Sequence, residues 1–273
     1  GKPLIQRESV VSSKEAVLAA VGKLAAPVRR ALGDTTPESA QLAKAETFTA
    51  ATIEAAHAYG VAQDLQFAGK WEDAIRAYSR VLELDPSLGR ACAGIAVAYR
   101  NLRQRAEAEK YYQLALARVD RMTDREKYRT RGGYYVTIGN QAKAVEEFSA
   151  LVREYPADNT GHANLALAYF LTRNFAAALE EGRLATVIYP KNVAQRNNMA
   201  WYALYAGDFT SAEREARAVL ALDAKFENAY NVLALAQLTL GQTAPAAQTY
   251  QQLEKMSPRG ASVAAAGLAD LAL

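Results

Sequence analysis

The chain has 273 residues, 51% of them hydrophobic, and its 32 lysines and arginines stand against 29 aspartates and glutamates for a formal net charge of +3. This supports one large domain or one repeat array with a substantial core, and excludes a global field that would demand nucleic acid or an anionic membrane as partner. One cysteine, Cys92, and two histidines, His57 and His162, exclude an intrachain disulfide framework and a zinc or iron centre built from Cys and His.

Residues 2 to 11, KPLIQRESVV, alternate weakly like a strand but meet no turn and no second strand. They read as an extended segment that belongs with an upstream part. The amino terminus shows no basic-then-apolar signal pattern. Apolar stretches such as NLALAYFLT are far too short to cross a bilayer, so the sequence reads as soluble. Next, SSKEAVLAAVGKLAAPVRRALGD combines a Ser12 and Glu15 capping pattern, apolar residues at helical spacing and Gly33 at its end, with Pro27 as a kink. It predicts one helix or two. TTPESAQLAKAETFTAAT, ending at Thr52, is a polar connector with some helical character.

From residue 55 a fixed period takes over. EDAIRAYSRVLELDP sets Ala74, Tyr78, Val81 and Pro86 at helical spacing before a proline stop, and the arrangement returns every 34 residues. One series of small residues runs Ala74, Ala108, Ala144, Ala178, Ala212 and Ala246; a second runs Ala62, Ala96, Gly132, Ala166, Ala200 and Ala234. Gly69, Gly139, Gly207 and Gly241 mark turns, and Pro86, Pro156, Pro190 and Pro258 close four of six units. The register slips once, by Thr123 and Asp124, where Thr123 and Glu126 form a capping-box pattern that restarts the next helix. Pro245 suits the first turn of a helix.

This pattern resembles the tetratricopeptide repeat over residues 55 to 260, with GKWEDAIRAYSRVLELDP, GDFTSAEREARAVLALD and HANLALAYF as close matches to its halves. The resemblance implies an all-α, right-handed superhelical solenoid of about six helix-turn-helix units, 55–88, 89–122, 125–158, 159–192, 193–226 and 227–260, with a helical extension before them and the start of a further helix at 261–273. Asp120 and Ala224 replace the closing proline, Gly182 replaces the second-helix aromatic, and Arg131 stands where an apolar residue is usual. Small residues at both series let paired helices approach closely, where a bulkier side chain would cost roughly 1 to 3 kcal/mol. Tyr78, Tyr112, Phe148 and Tyr250 share one repeat position and Tyr99, Tyr135 and Tyr169 another, and all are expected in the core.

SKEAVLAAVGKLAAPVRRALGD, a threonine-rich connector and IEAAHAYGVAQDLQFAGKWEDAIRAYSRVLELDP, together residues 13 to 86, also resemble the carboxy-terminal region of bacterial eukaryotic-like serine/threonine kinases and of some winged-helix regulators. That implies an effector domain upstream, often with a membrane segment between, and leaves either side of the membrane open. The chain itself has no glycine-rich phosphate loop, HRD or DFG, so it is expected not to be an enzyme, and no cofactor or metal is implied. Glu72 with Asp73, and Glu146 with Glu147, read as solvated charge. His57, His162 and Cys92 read as packed or surface residues rather than catalytic ones.

Helical counting at about 100° per residue sets positions 2, 5, 9, 12 and 13 of each first helix on the face that lines the concave groove of such a solenoid. Asn197, Asn198, Trp201, Leu204 and Tyr205 fall there in the fifth unit, with Asn198 at the margin. Asn164, Leu167, Phe170 and Leu171 join them from the fourth, and Asn228, Asn231, Leu235 and Leu238 from the sixth. Asparagine amides can bond both backbone groups of an extended peptide, and apolar residues can anchor it. The plain alternative is that tight curvature buries these side chains against adjacent helices. RVDRMTDREKYRTRGGYY, residues 118 to 135, with Arg90, Arg100 and Arg129, reads as a solvated surface, an anionic peptide site or a nucleic-acid site. The expected function is a non-catalytic module binding a protein or extended peptide in the groove, as the regulatory or sensing arm of a larger bacterial signalling protein. A nucleic-acid-binding solenoid using residues 118–135 is the rival.

Overall fold

A computed structural model describes residues 8–13, Val17, Ala20, Leu24, Pro27 and residues 50–272. Residues 8 to 11 have no regular structure, Ser12 and Ser13 bend, and Val17, Ala20, Leu24 and Pro27 are helical. The Glu15 cap, the helix end at Gly33 and the connector to Thr49 lie outside the described residues.

Among the described residues, thirteen α-helices and no strand lie between residues 53 and 272. They are α1 (Ile53–Phe67), α2 (Trp71–Leu84), α3 (Gly89–Asn101), α4 (Arg105–Leu116), α5 (Asp124–Ile138), α6 (Gln141–Glu154), α7 (Asn159–Leu171), α8 (Phe175–Ile188), α9 (Val193–Tyr205), α10 (Phe209–Leu222), α11 (Glu227–Thr239), α12 (Thr243–Glu254) and α13 (Pro258–Ala272). A 3-10 turn, Val119–Arg121, precedes α5. The chain divides into two compact bodies, residues 1–157 and 158–273. Within each body consecutive helices pack in pairs, and α1 touches α3, α3 touches α5, α9 touches α11 and α11 touches α13.

The helices begin where the sequence supplies a cap. Thr52, Asn140, Asp158, Asn174, Asn192 and Asp208 each accept a backbone N–H from the first turn that follows. Thr123 and Glu126 cap each other's backbone reciprocally, so the two-residue slip does restart a helix. Between paired helices the chain turns through the left-handed region. Gly69, Gly139, Gly207 and Gly241 hold that conformation in four turns, and Arg103 and Arg173, both at φ 61°, hold it in the other two.

Both small-residue series are fully buried. At Gly132 a Cβ would lie 2.6 Å from Cε1 and Cζ of Phe148, so the absence of a side chain is what admits the ring. Tyr78, Tyr112, Phe148 and Tyr250 are buried as expected. Tyr99, Tyr135 and Tyr169 are only half-buried, because they occupy the last turns of first helices, where the pair opens to water.

Two irregularities are compensated locally. Gly182 leaves α8 without its aromatic, and Tyr202 of α9 fills the space: a Cβ on Gly182 would lie 3.0 Å from Tyr202 Cδ2. Tyr202 is consequently buried among Ala166 and Ala178, and burial pushes its hydroxyl pKa above the ordinary value. Arg131 is only half-buried and faces Glu147 of α6, whose carboxyl is pushed up by burial while the arginine pulls it back.

Asp85 closes α2 and is buried, which alone would raise its pKa. Hydrogen bonds outweigh that. Its carboxylate accepts the Ser87 hydroxyl at 2.5 Å, the Ala51 N–H at 2.8 Å and the Ser87 N–H at 3.0 Å, and its pKa falls below the ordinary carboxylate value.

Two outcomes are expected. Gly182→Phe should lower stability by about 1–3 kcal/mol in chemical denaturation, because the new ring competes with Tyr202 for one space. The stabilisation from ionised Asp85 is present above the unfolded carboxylate pKa and lost as pH falls through the lowered folded value. Melting curves of Asp85→Asn and the parent should therefore differ at neutral pH and converge in strong acid.

Candidate functional site

In the body formed by residues 158–273, α7, α9 and α11 carry the residues expected to face a groove. Tyr205 is 53% exposed and Leu171 44%. Asn198 and Asn228 are also exposed, whereas Asn164, Leu167, Phe170, Trp201, Leu204, Asn231, Leu235 and Leu238 are half-buried. Asn228 accepts a bond from Arg259 of α13 at 3.3 Å.

Several of these side chains meet in one aromatic cluster. Phe170 meets Tyr205 edge-on, with centroids 5.1 Å apart and ring planes at 82°, and Trp201 lies 6.2 Å from Tyr205. Two rings that the helical count did not select complete it. Phe175 lies 5.6 Å from Phe170 and 5.3 Å from Tyr205, and Tyr202 lies 5.2 Å from Phe170. Each had a signal in the sequence. Phe175 opens α8 directly after a tight turn, which returns it beside the end of α7, and Tyr202 follows from the missing aromatic at Gly182. The cluster is built from α7, α8 and α9, and the α11 residues stand outside it.

Trp201 serves the stack as well as the surface. Together with Leu204 it packs against a core of Ala200, Ala216, Val232 and Leu233, which leaves the indole half-buried. Asn197 departs further from expectation. Instead of standing open it is 4% exposed, because α9 is enclosed by α8, α10 and α11. Its Oδ1 has no hydrogen-bond donor. An unmet buried acceptor costs about 1–3 kcal/mol.

Several other polar groups on these helices are taken up by the fold. His162 Nδ1 lies 2.6 Å from Glu181 Oε2, and one repeat later Arg196 pairs with the buried Glu215, which Arg214 also approaches at 3.1 Å. Gln195 donates to Asn159 Oδ1 at 2.6 Å, although its own Oε1, like Asn197 Oδ1, has no donor, and Asn159 donates to the Ala185 carbonyl at 2.6 Å. The His162, Arg196 and Asn159–Ala185 contacts tie first helices to second ones, and the Gln195–Asn159 bond ties one first helix to the next.

In the body formed by residues 1–157, Arg90 does not stand ready for a ligand as expected. Its Nε lies 3.1 Å from the buried Glu126 and its guanidinium 5.0 Å over the Tyr59 ring, so the charge is satisfied inside. Most cations of the 118–135 stretch are likewise engaged. Arg118 donates to the carbonyls of Pro86 and Leu114, Arg125 lies over Tyr155, and Lys127 pairs with Asp124. Arg100 and Arg129 are half-buried. Cys92 is buried, which pushes its thiol pKa up, and His57 is exposed. Arg90→Ala should destabilise the chain by about 3 kcal/mol in urea unfolding, because Glu126 would keep its buried charge without the partner.

A family model for the tetratricopeptide repeat matches residues 59–121, 130–193 and 197–261, well over half of the chain. Tetratricopeptide repeat protein 37 of Xenopus laevis is 24% identical over 179 residues, a match that covers 66% of this chain and 11% of that protein's length. Among solved structures, the APC/C hetero-tetramer Cut9–Hcn1 is similar with a TM-score of 0.62 at 19% identity, covering 78% of this chain and 43% of that one. PilW, a type IV pilus biogenesis factor, gives 0.60 at 15% identity, with 78% and 99% covered. A thermophilic repeat protein of Thermus thermophilus gives 0.56 at 18%, with 68% and 100% covered. At such identities the likeness is one of fold. Paired helices at a 34-residue period, buried small residues at both contact series and the family match together establish that this chain belongs to the tetratricopeptide repeat family.

Proposed function

We propose that the chain is a non-catalytic interaction module of six repeats, bounded as the 34-residue period sets them, that binds an extended peptide or protein segment along the first helices of residues 158–273. We further propose that it is the regulatory or sensing arm of a larger bacterial signalling protein, a reading that rests on the sequence of residues 13–86. Repeats of this family mediate protein–protein interactions and are typically non-catalytic.

The observation that carries the peptide reading is the buried, donor-less Oδ1 of Asn197. A folded chain tolerates such a deficit where a ligand supplies the missing bond, and the backbone N–H of an extended peptide is such a donor once the neighbouring helices part enough to admit it. Half-buried Trp201 and exposed Tyr205 lie one and two turns further along the same helix, where they offer rings to an apolar side chain. Asn164, Asn198 and Asn231 supply further amides on the neighbouring turns and helices.

The test uses peptides selected against the full chain from a random display library. Asn197→Leu should raise the stability of the free chain by about 1–2 kcal/mol, since it removes an unmet acceptor, and should weaken the selected peptides. In a Trp71→Phe background, bound peptide should shield Trp201 from acrylamide, and Trp201→Ala should cost about 2 kcal/mol of binding. Unchanged affinity in both variants, or a less stable Asn197→Leu chain, would contradict the reading.

A further inference from the structure

Six turns join first to second helices, and glycine holds the left-handed position in four of them. Arg103 and Arg173 hold it in the others, both at φ 61° and both exposed. Glycine adopts this conformation freely, whereas an L side chain is strained there. Strain kept at an exposed residue, where the fold gains nothing visible from the side chain, points to a use for that side chain.

The surroundings of Arg103 show what the use is. Arg100 lies in the last turn of α3 and Arg105 opens α4, so three guanidinium groups fall within six residues around one tight turn. Among the described residues none of the three has a carboxylate at ion-pair distance. Arg105 donates to the Ile138 carbonyl at 2.8 Å, and Glu107, the nearest acid in sequence, pairs with Lys110 at 3.3 Å. Arginines on the outer faces of other helices behave differently: Arg76, Arg80, Arg183 and Arg217 each pair with an acid three or four residues away. The turn therefore concentrates unneutralised positive charge.

We propose that Arg100, Arg103 and Arg105 form a docking site for an acidic peptide segment of a protein partner, on the turn edge of residues 1–157 and separate from the first helices of residues 158–273. Guanidinium groups grip carboxylates through two parallel bonds, and alternate residues of an extended acidic segment present carboxylates on one side about 7 Å apart. Two observations favour a peptide over single-stranded nucleic acid. The neighbouring rings Tyr99 and Tyr111 stack on each other at 5.5 Å and Lys110 lies 5.7 Å over Tyr111, so the faces these two rings turn to each other are not open to a base. Glu107 and Glu109 also interrupt the basic run, where a phosphate backbone needs a continuous basic track.

The full chain is titrated with a fluorescein-labelled peptide of alternating glutamate and serine and with oligo(dT) of equal charge, at several salt concentrations. The peptide should bind, more weakly as salt rises. Arg103→Gly should melt at or above the parent temperature, because glycine relieves the turn, and should bind the peptide about tenfold more weakly. Arg105→Ala should weaken it to a similar degree. Arg173→Gly makes the same exchange in the same turn geometry elsewhere and should leave binding unchanged. The proposal is overturned if the parent chain does not bind the peptide, if oligo(dT) binds more tightly, if Arg103→Gly keeps full affinity, or if Arg173→Gly loses as much. A lower melting temperature for Arg103→Gly overturns it as well, since the arginine would then be serving the fold. Loss of peptide selection by Asn197→Leu bears only on the first-helix reading and leaves this one untouched.

Discussion

The distance of closest approach between two paired helices governs this chain. Its helices run 12 to 15 residues, a length at which an isolated helix is marginal in water, so each depends on its partner to exist. Alanine or glycine at both contact series lets the backbones meet, and in four of the six pairs an aromatic ring of the second helix, Tyr78, Tyr112, Phe148 or Tyr250, packs beside them. Hydrophobicity alone does not specify this arrangement. Leucine would be more apolar than Ala74 or Ala166 and would hold the helices apart, forfeiting the dispersion contacts that close packing supplies.

Around this constraint the departures from regularity fall into two kinds. Some are balanced on the spot: Arg90 is neutralised by Glu126 and stacked on Tyr59, and half-buried Arg131 faces Glu147. His162 with Glu181 and Arg196 with Glu215 place the same acid at the same repeat position and supply it with two different bases. Others are left open. The acceptors of Asn197, Gln195 and Gln141 and the left-handed Arg103 and Arg173 cost free energy that no hydrogen bond inside the chain is seen to offset.

Much of the scaffold was legible in the sequence because its causes are local or periodic. The Thr123 and Glu126 cap, the left-handed glycines and the burial of Tyr78, Tyr112, Phe148 and Tyr250 each follow from spacing within a repeat. The candidate site was less legible. Helical counting put Asn197 and Trp201 on one face, yet angle says nothing of how closely the next helices stand. Asn197 ended enclosed and Trp201 half-buried for that reason. Arg90 was misjudged on the same ground, since its partner Glu126 lies one repeat away, beyond the reach of any count along a single helix. Phe175 and Tyr202 join the aromatic cluster through a turn and through the vacancy at Gly182, features that a face-by-face reading does not combine.

The exchange between Gly182 and Tyr202 bears on how the chain comes apart. In a row of repeats, stability divides into what each repeat holds by itself and what each junction adds. Here the α7–α8 pair lacks a seal of its own and receives one from α9, which moves free energy out of one repeat and into its junction with the next. The two repeats therefore open together, as one cooperative segment.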